Sequence, residues 1–331
     1  MDITTTCHAT DRVIVESFLG DGEHRTLADD VLDGLTRPFK ELPPKHFYDA
    51  HGADLFDQIC ELPEYYPTRS ERAILEARSS EIVERTGAAE LVELGSGVPT
   101  KTLLLLDAMR DAGTLDRYVP FDVSETVLLA SAERLVEQYP GLRVFGVLGD
   151  FERHLDALPP PEGPRVIAFL GGTIGNFPPG SRRKFLRALR RALRPQDRLL
   201  LGTDLVKDPA VLEAAYNDEA GVTARFNLNL LNVLNRELHA DFVVDAFEHV
   251  AFYDREQEWI EMRLRALEPM LVNLVDLDLG VHFANREEMR TEISAKFTRT
   301  RIERDLRAAG LRLHQLMIDD EGLFALSLSG P

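Results

Sequence analysis

The chain has 331 residues, of which 44% are hydrophobic, and a formal net charge of −18. This length allows about two domains of ~100–200 residues each, and the apolar content is sufficient for a buried core. The negative charge argues against nucleic acid or an anionic membrane as a partner, because both bind basic surfaces that replace counterions.

Hydropathy and cysteine content exclude several further classes of protein. No apolar run approaches the ~18 residues of a membrane span, and the first residues lack the basic and apolar regions of a signal peptide. We therefore expect a soluble, cytoplasmic protein, with a monomer as the default. Cys7 and Cys60 lie far apart, without a His at ligand spacing, so neither a disulfide framework nor a metal site is expected.

Five apolar runs alternate with helical patterns, and each run closes on glycine or an acidic residue. The runs span residues 88–94, 118–122, 143–148, 166–170 and 198–201. This rhythm predicts an α/β fold with a doubly wound, mostly parallel sheet. The first run ends at Gly95-Ser96-Gly97, a tight turn at the strand end where open parallel sheets bind ligands. A helix at 301–309 and two strands, 311–318 and 323–328, suit an antiparallel edge.

Two segments have a different pattern and predict a second, α+β domain. Asp208-Pro209 opens a helix that carries Tyr216, a helix follows at 223–238, and alternation from 247 to 296 indicates an antiparallel layer. We expect residues 1–70 and 207–296 to form this domain, and residues 71–206 and 297–331 to form the sheet domain.

The aromatic segment before the first parallel strand makes a more local prediction. Thr68 to Glu71 is a capping-box pattern, so a helix is expected to start near Arg69. Flanking prolines predict that Tyr65 and Tyr66 are extended. A further amphipathic helix is predicted at 26–35.

The glycine turn admits two kinds of nucleotide-derived ligand. A nicotinamide dehydrogenase requires Gly-x-Gly-x-x-Gly, but Val98-Pro99-Thr100 follows Gly97 and the third glycine is missing. The order Glu93 to Gly97, then Asp122 and Asp150-Phe151 at the next two strand ends, instead resembles the class I, Rossmann-like S-adenosylmethionine-dependent methyltransferases. The turn alone is weak evidence, since many α/β proteins have one without a ligand.

Longer motifs extend this resemblance to nearly the whole chain, from about residue 37 to the end. They are Phe47-Tyr48-Asp49, Gly52 to Asp57, Leu62 to Arg69, Glu93 to Gly97, Lys101-Thr102 and Gly171 to Asn176. Together they resemble the histidine-specific N-alpha-methyltransferase family. The resemblance implies trimethylation of the α-amino group of L-histidine to hercynine, the first step towards ergothioneine, with S-adenosylmethionine as methyl donor.

The resemblance also implies a set of cofactor contacts: Gly95, Lys101, Asp122, Asp150 and Phe151. Glycine backbone can approach the methionine part, and Lys101 can meet its carboxylate. Asp122 can accept from both ribose hydroxyls, while Asp150 can accept from the adenine amino group beside the backbone N–H of Phe151.

The implied substrate contacts are Tyr65, Asn176, Tyr216, Glu292 and Ser294, of which Tyr65 and Asn176 are also assigned as catalytic. The tyrosines can hold the α-carboxylate, and Asn176 can accept from the α-amino group. Glu292 and Ser294 lie two residues apart in an extended segment, so both can face one imidazole. Without the resemblance, both would be read as surface residues. Phe56, Met262 and Thr173 are placed near the pocket, where core packing explains Phe56 and Met262 equally well.

Three alternatives remain open at this stage. A methyltransferase of the same family could act on another amino acid or amine, such as tryptophan, although a buried Glu292 would then lack a partner. A dehydrogenase is a second alternative. A non-catalytic cofactor-binding or regulatory module is a third, from a different functional class.

Overall fold

The elements follow from alternating strand and helix patterns, and a computed structural model describes them for residues 5–9, 11–19, 26–97 and 100–331. In the first half they are β1 Thr5–Ala9, β2 Val13–Ser17, α1 Leu27–Gly34, β3 Lys40–Glu41, α2 Ala50–Glu61, α3 Tyr66–Thr86, β4 Glu90–Leu94, α4 Thr102–Asp111, β5 Arg117–Asp122, α5 Glu125–Gln138, β6 Arg143–Leu148 and β7 Arg165–Phe169. The predicted helix at 26–35 is therefore present.

The second half contains the remaining strands and helices. They are α6 Pro179–Ala192, β8 Arg198–Asp204, α7 Pro209–Tyr216, α8 Val222–Glu237, β9 Phe247–Asp254, β10 Trp259–Ala266, β11 Met270–Leu274, β12 Leu279–Phe283, β13 Glu288–Ala295, α9 Arg299–Ala308, β14 Arg312–Ile318 and β15 Phe324–Gly330. The two helices predicted after Asp208 are present, and Asp208 caps the first by accepting from the N–H of Ala210 at 2.9 Å.

A nine-stranded sheet has the order β1-β2-β6-β5-β4-β7-β8-β15-β14. Its strands β2, β6, β5, β4, β7 and β8 are parallel, and β15 and β14 add the predicted antiparallel edge. Chain order reverses between β4 and β7, which makes this the topological switch point where open α/β sheets bind ligands. The α/β prediction is confirmed.

Helices cover both faces of this sheet. One core contains Leu75 of α3, Leu105 of α4 and Leu128 of α5. The other contains Leu189 of α6 and Leu306 of α9. Because both faces are buried, every residue of β4 and β7 is buried, as expected of central parallel strands.

A separate core lies among α1, α2, α7, α8 and the smaller sheets. These are a four-stranded sheet, β3-β13-β10-β9, and the two-stranded sheet β11-β12. Phe47, Leu55, Leu230, Ile260 and Phe283 belong to this core. It is built from the two chain segments in which the second domain was predicted, and the domain division itself stays a prediction.

Two local features differ from the predictions. Strand β2 pairs with β6 in the large sheet, although residues 1–70 were assigned to the second domain. Helix α3 begins at Tyr66 rather than near Arg69, and no side chain caps it. Pro67 falls in its first turn, where the missing N–H breaks no helical hydrogen bond, so this proline permits a helix that the sequence analysis read as extended.

Gly52, in the first turn of α2, packs closely against the backbone of Phe47 in the core among α1, α2, α7 and α8. A Cβ on this residue would lie 1.7 Å from the backbone oxygen of Phe47, whereas one on Gly180 in α6 would meet no atom within 4 Å. We expect Gly52→Ala to lower the free energy of unfolding by at least about 2 kcal/mol, and Gly180→Ala to leave it unchanged or higher. Urea denaturation of both variants measures this; equal stability of the two would contradict the described packing.

Candidate active site

The glycine turn after β4 is bonded directly to the end of β5. Gly95 has a φ of +70°, which favours glycine, and its N–H donates to the oxygen of Phe121 at 2.8 Å. The carboxylate of Asp122 accepts from the N–H of Gly97 at 2.8 Å and from that of Ser124 at 3.0 Å. Gly95 and Asp122 therefore lie together at the carboxyl edge of the sheet.

Asp150 and Phe151 follow the neighbouring strand, β6, at the same edge. Asp150 accepts from the N–H of Glu152 at 2.8 Å, which fixes its carboxylate in a local turn. The ring of Phe151 contacts that of Phe121 at a centroid distance of 6.5 Å, and a Cβ on Gly95 would lie 3.5 Å from it. Four of the five predicted cofactor residues thus line one continuous edge across β4, β5 and β6.

Lys101, the fifth predicted cofactor residue, is held by Glu71, which the sequence predicted only as part of a helix cap. Its ammonium forms an ion pair with the carboxylate of Glu71, which is fully buried. Both oxygens of Glu71 also accept from the N–H of Gly171 at 2.9 Å. Burial lowers the pKa of Lys101. The negative groups around it, chiefly Glu71, raise the pKa by more in total, so it lies above its ordinary value.

The predicted substrate residues Tyr65, Tyr216 and Ser294 meet beyond this edge. Tyr216 ends α7, and its hydroxyl is 2.8 Å from the Oγ of Ser294 on β13. The rings of Tyr65 and Tyr216 are 6.3 Å apart in an edge-to-face arrangement. Phe56 contacts Tyr65 at 6.1 Å, so it extends the same aromatic wall, whereas Met262 is buried in the core behind it.

Glu292 lies two residues before Ser294 on β13, so the two side chains leave the same face of the strand. The residue is half-buried, and its carboxylate has no hydrogen-bond partner among the residues that the structure describes. Burial raises the pKa of Glu292 to about 7, and the positive charge of Lys296 lowers it by less. A carboxylate in this position can accept a hydrogen bond from a ligand N–H.

Asn176 reaches the same place from the loop after β7. It ends a short 3-10 turn, Thr173–Asn176, which lies directly on β13. A Cβ on Gly175 would be 2.9 Å from the backbone oxygen of Ala295, so only glycine permits this approach. Within the described ranges the Asn176 amide has no protein partner, and Thr173 donates to the oxygen of Leu170 at 3.0 Å. All five predicted substrate residues thus belong to one region.

Lys296 is a polar residue of this region that the sequence analysis missed. It is fully buried, and its ammonium donates to Tyr216 at 3.0 Å and to Ser294 at 2.9 Å. It also contacts the carboxylate of Asp204 at 2.8 Å. The signal that could have found it is the period of two along β13, which, continued one residue beyond its end at Ala295, places residues 292, 294 and 296 on one face.

Comparisons with known proteins show the family of the chain. Residues 27–330 match the model of a family described as histidine-specific methyltransferase, SAM-dependent. The chain belongs to this family of S-adenosylmethionine-dependent, histidine-specific methyltransferases. It is 53% identical over 93% of its length to the histidine N-alpha-methyltransferase of Mycolicibacterium smegmatis, covering 96% of that protein.

Two more relatives of this methyltransferase chain are informative. It is 52% identical to the histidine N-alpha-methyltransferase of Mycobacterium tuberculosis, over 96% of this chain and 99% of that protein. It is 36% identical to ergothioneine biosynthesis protein 1 of Neurospora crassa, over 59% of this chain and 23% of that much longer protein.

Two other kinds of structure are absent from the described part of the methyltransferase chain. Among residues 11–19, 26–97 and 100–331, His, Cys, Asp and Glu side chains form no group of three or more that could hold a metal ion. In the same part of the chain, no helix is long and apolar enough to cross a membrane.

The raised pKa of Glu292 predicts a stability cost. Its folded-state pKa of about 7 exceeds its ordinary value of 4.5, so the native state loses stability as pH rises from about 4.5 to 7, and the loss stays constant above that range. We expect Glu292→Gln to gain about 2–3 kcal/mol in unfolding free energy relative to the parent on going from pH 5 to pH 8. Denaturant titrations without ligand measure this, with the exposed Glu268→Gln as control. A pH-independent difference would contradict the assigned pKa.

Proposed function

We propose that this protein transfers three methyl groups from S-adenosylmethionine to the α-amino nitrogen of L-histidine and forms hercynine, the first step of ergothioneine biosynthesis. The main support is a half-buried Glu292 carboxylate, without a hydrogen-bond partner among the described residues, on the same strand face as a Ser294–Tyr216 hydroxyl pair. An imidazole offers one N–H and one bare nitrogen, which complement an acceptor and a donor. Membership of a histidine-specific family supports the same substrate.

We propose that the cofactor lies along the edge formed by β4, β5 and β6. Gly95 gives its backbone room, and Asp122 accepts from the ribose hydroxyls with lone pairs that Gly97 and Ser124 leave unused. Asp150 and the backbone of Phe151 take the adenine. The ammonium of Lys101, aligned by Glu71, meets the methionine carboxylate.

We propose that the core among α1, α2, α7, α8 and the smaller sheets belongs to a substrate-binding domain, and that this domain supplies most histidine contacts. Glu292 accepts from one ring N–H, and Ser294 complements the other ring nitrogen. Tyr65 and Tyr216 hold the α-carboxylate directly or through water. Asn176, which comes from the cofactor-binding sheet, accepts from the α-amino group and so places it at the boundary between the two sites.

The reaction is a direct displacement for which S-adenosylmethionine supplies a methyl group on a positively charged sulfur. The neutral amine attacks the methyl carbon, and the electrons of the broken carbon–sulfur bond go to sulfur. One proton leaves the ammonium before each of the three transfers. Catalysis comes largely from alignment of the two reactants, which the fixed positions of Tyr65, Asn176 and Glu292 provide. An amide cannot act as the base, so Asn176 positions the amine and the proton leaves through water.

The main alternative is a family member that methylates another amino acid, such as tryptophan. The side chain of tryptophan has one N–H and no bare nitrogen, so it leaves the second polar group of the pair without a partner. Burying such a group unpaired is costly, which favours histidine. We also propose that the protein acts as a cytoplasmic monomer, and light scattering at the mass of one chain tests the monomer.

The substrate is tested by incubating the purified protein with S-adenosylmethionine and an equal mixture of the twenty amino acids. Mass spectrometry is expected to show a gain of three methyl groups on histidine alone. Methylation of another amino acid would retain the cofactor half of the proposal and overturn the roles of Glu292 and Ser294. No methylation at all would overturn the proposed function.

A pair of variants separates the two halves of the site. Glu292→Ala is expected to weaken histidine binding about tenfold or more, since it removes a charged hydrogen-bond acceptor, with little effect on the cofactor. Asp122→Ala is expected to show the opposite pattern. Isothermal titration calorimetry with each ligand measures both, and equal losses for the two ligands in either variant would count against the assigned roles.

A further inference from the structure

A buried charge cluster lies directly behind the proposed histidine contacts. Asp204, at the end of β8, contacts the ammonium groups of Lys296 at 2.8 Å and Lys207 at 2.5 Å. Its two oxygens also accept from the hydroxyl of Tyr66 at 2.9 Å. The cluster therefore contains two cations and one anion.

The three N–H bonds of Lys296 have three acceptors: Asp204, Tyr216 and Ser294. An ammonium group only donates, so the oxygens of Tyr216 and Ser294 must both accept from it. Burial lowers the pKa of Lys296, but Asp204 and Tyr216 together raise it by more, so the group stays charged. The direction of these bonds is therefore fixed.

The direction of these bonds determines what the hydroxyl pair offers to a ligand. Tyr216 and Ser294 are 2.8 Å apart, so one of them donates to the other. The two hydroxyls carry two protons, and their mutual bond uses one. The other proton has no acceptor among the described residues, so it is free to bind a ligand. With Lys296 in place, the pair is set up to donate a hydrogen bond to a bare ring nitrogen or a carboxylate.

We propose that Lys296 is a positioning residue for histidine, which holds Tyr216 and Ser294 as a hydrogen-bond donor facing the substrate. The proposal rests on the proposed function and deepens it, because it explains how the site distinguishes an acceptor nitrogen from a C–H. Glu292 supplies the acceptor on the same face, so the site presents one acceptor and one enforced donor.

A purely structural role, neutralising Asp204, is the competing explanation, and Lys207 provides the matched control. Lys207 also neutralises Asp204 and is almost equally buried, with 8% of its side chain exposed. Its ammonium donates to Asp204, Tyr66 and the backbone oxygen of Leu205, with no bond to Tyr216 or Ser294. A neutralising role predicts similar effects from the two lysines, whereas a positioning role predicts an effect from Lys296 alone.

The experiment compares Lys296→Met with Lys207→Met by calorimetry, using histidine and S-adenosylhomocysteine as ligands. Lys296→Met is expected to raise the Kd of histidine at least about tenfold, with the Kd of S-adenosylhomocysteine within about twofold of the parent. Lys207→Met is expected to leave both constants within about threefold. Equal effects of the two substitutions on histidine, or none from Lys296→Met, would overturn the proposal.

Ligand discrimination gives a readout that a structural role would not change. The two pyrrolylalanine isomers keep one ring N–H and replace the other nitrogen of histidine by C–H. The parent protein is expected to prefer histidine over the better isomer about tenfold or more, and Lys296→Met to lose most of this preference. An unchanged preference in Lys296→Met would overturn the proposal.

Lys296→Gln covers the case in which the methionine variant does not fold. Its shorter, uncharged side chain cannot reach Asp204, Tyr216 and Ser294 together, so the Kd of histidine is expected to rise at least about fivefold. A parental Kd would overturn the proposal. If the parent itself methylates no histidine, the proposed function fails; if the parent is active and the lysine variants bind histidine as the parent does, only the role of Lys296 fails.

Discussion

The proposed site depends on one close contact, that of Gly175 with the backbone of β13. Any side chain here would push the loop after β7 away from Ala295, whose backbone oxygen lies 2.9 Å from the position of a Cβ. This contact joins the loop after β7 of the large sheet to β13 of the four-stranded sheet, where the predicted substrate residues of both lie. Asn176 follows β7 of the large sheet in a turn that lies against β13, so an amine held from the large sheet and an imidazole held from β13 can belong to a single small molecule.

Carboxylates around this contact differ in whether a lysine pairs with them. The paired carboxylates support the structure, whereas an unpaired one is available to bind a ligand. Glu71 is matched by Lys101, and Asp204 by two lysines, so these carboxylates hold neighbouring groups in place. Glu292 is half-buried and has no hydrogen-bond partner among the described residues, and desolvation raises its pKa to about 7. A carboxylate that costs stability and lacks such a partner is better explained by a ligand than by packing, since functional sites often reduce stability.

The sequence predicted five of the parallel strands, the glycine turn and the antiparallel edge because periodicity and glycine placement are local signals. The same-face relation of Glu292 and Ser294 also followed from strand geometry. The partners Glu71 and Lys296 could not be found in this way, because their roles arise from contacts between distant parts of the chain: Glu71 lies 30 residues from Lys101, and Lys296 lies 80 residues from Tyr216. The start of α3 at Tyr66 was missed because a proline in the first turn is compatible with either structure.

A crystal structure of the protein with S-adenosylhomocysteine and L-histidine is the decisive experiment for the shared site. We expect the imidazole between Glu292 and the Ser294–Tyr216 pair, with the α-amino nitrogen beside Asn176 and facing the sulfur. Histidine bound with its ring turned away from Glu292, or with its amine out of line with the sulfur, would refute this arrangement.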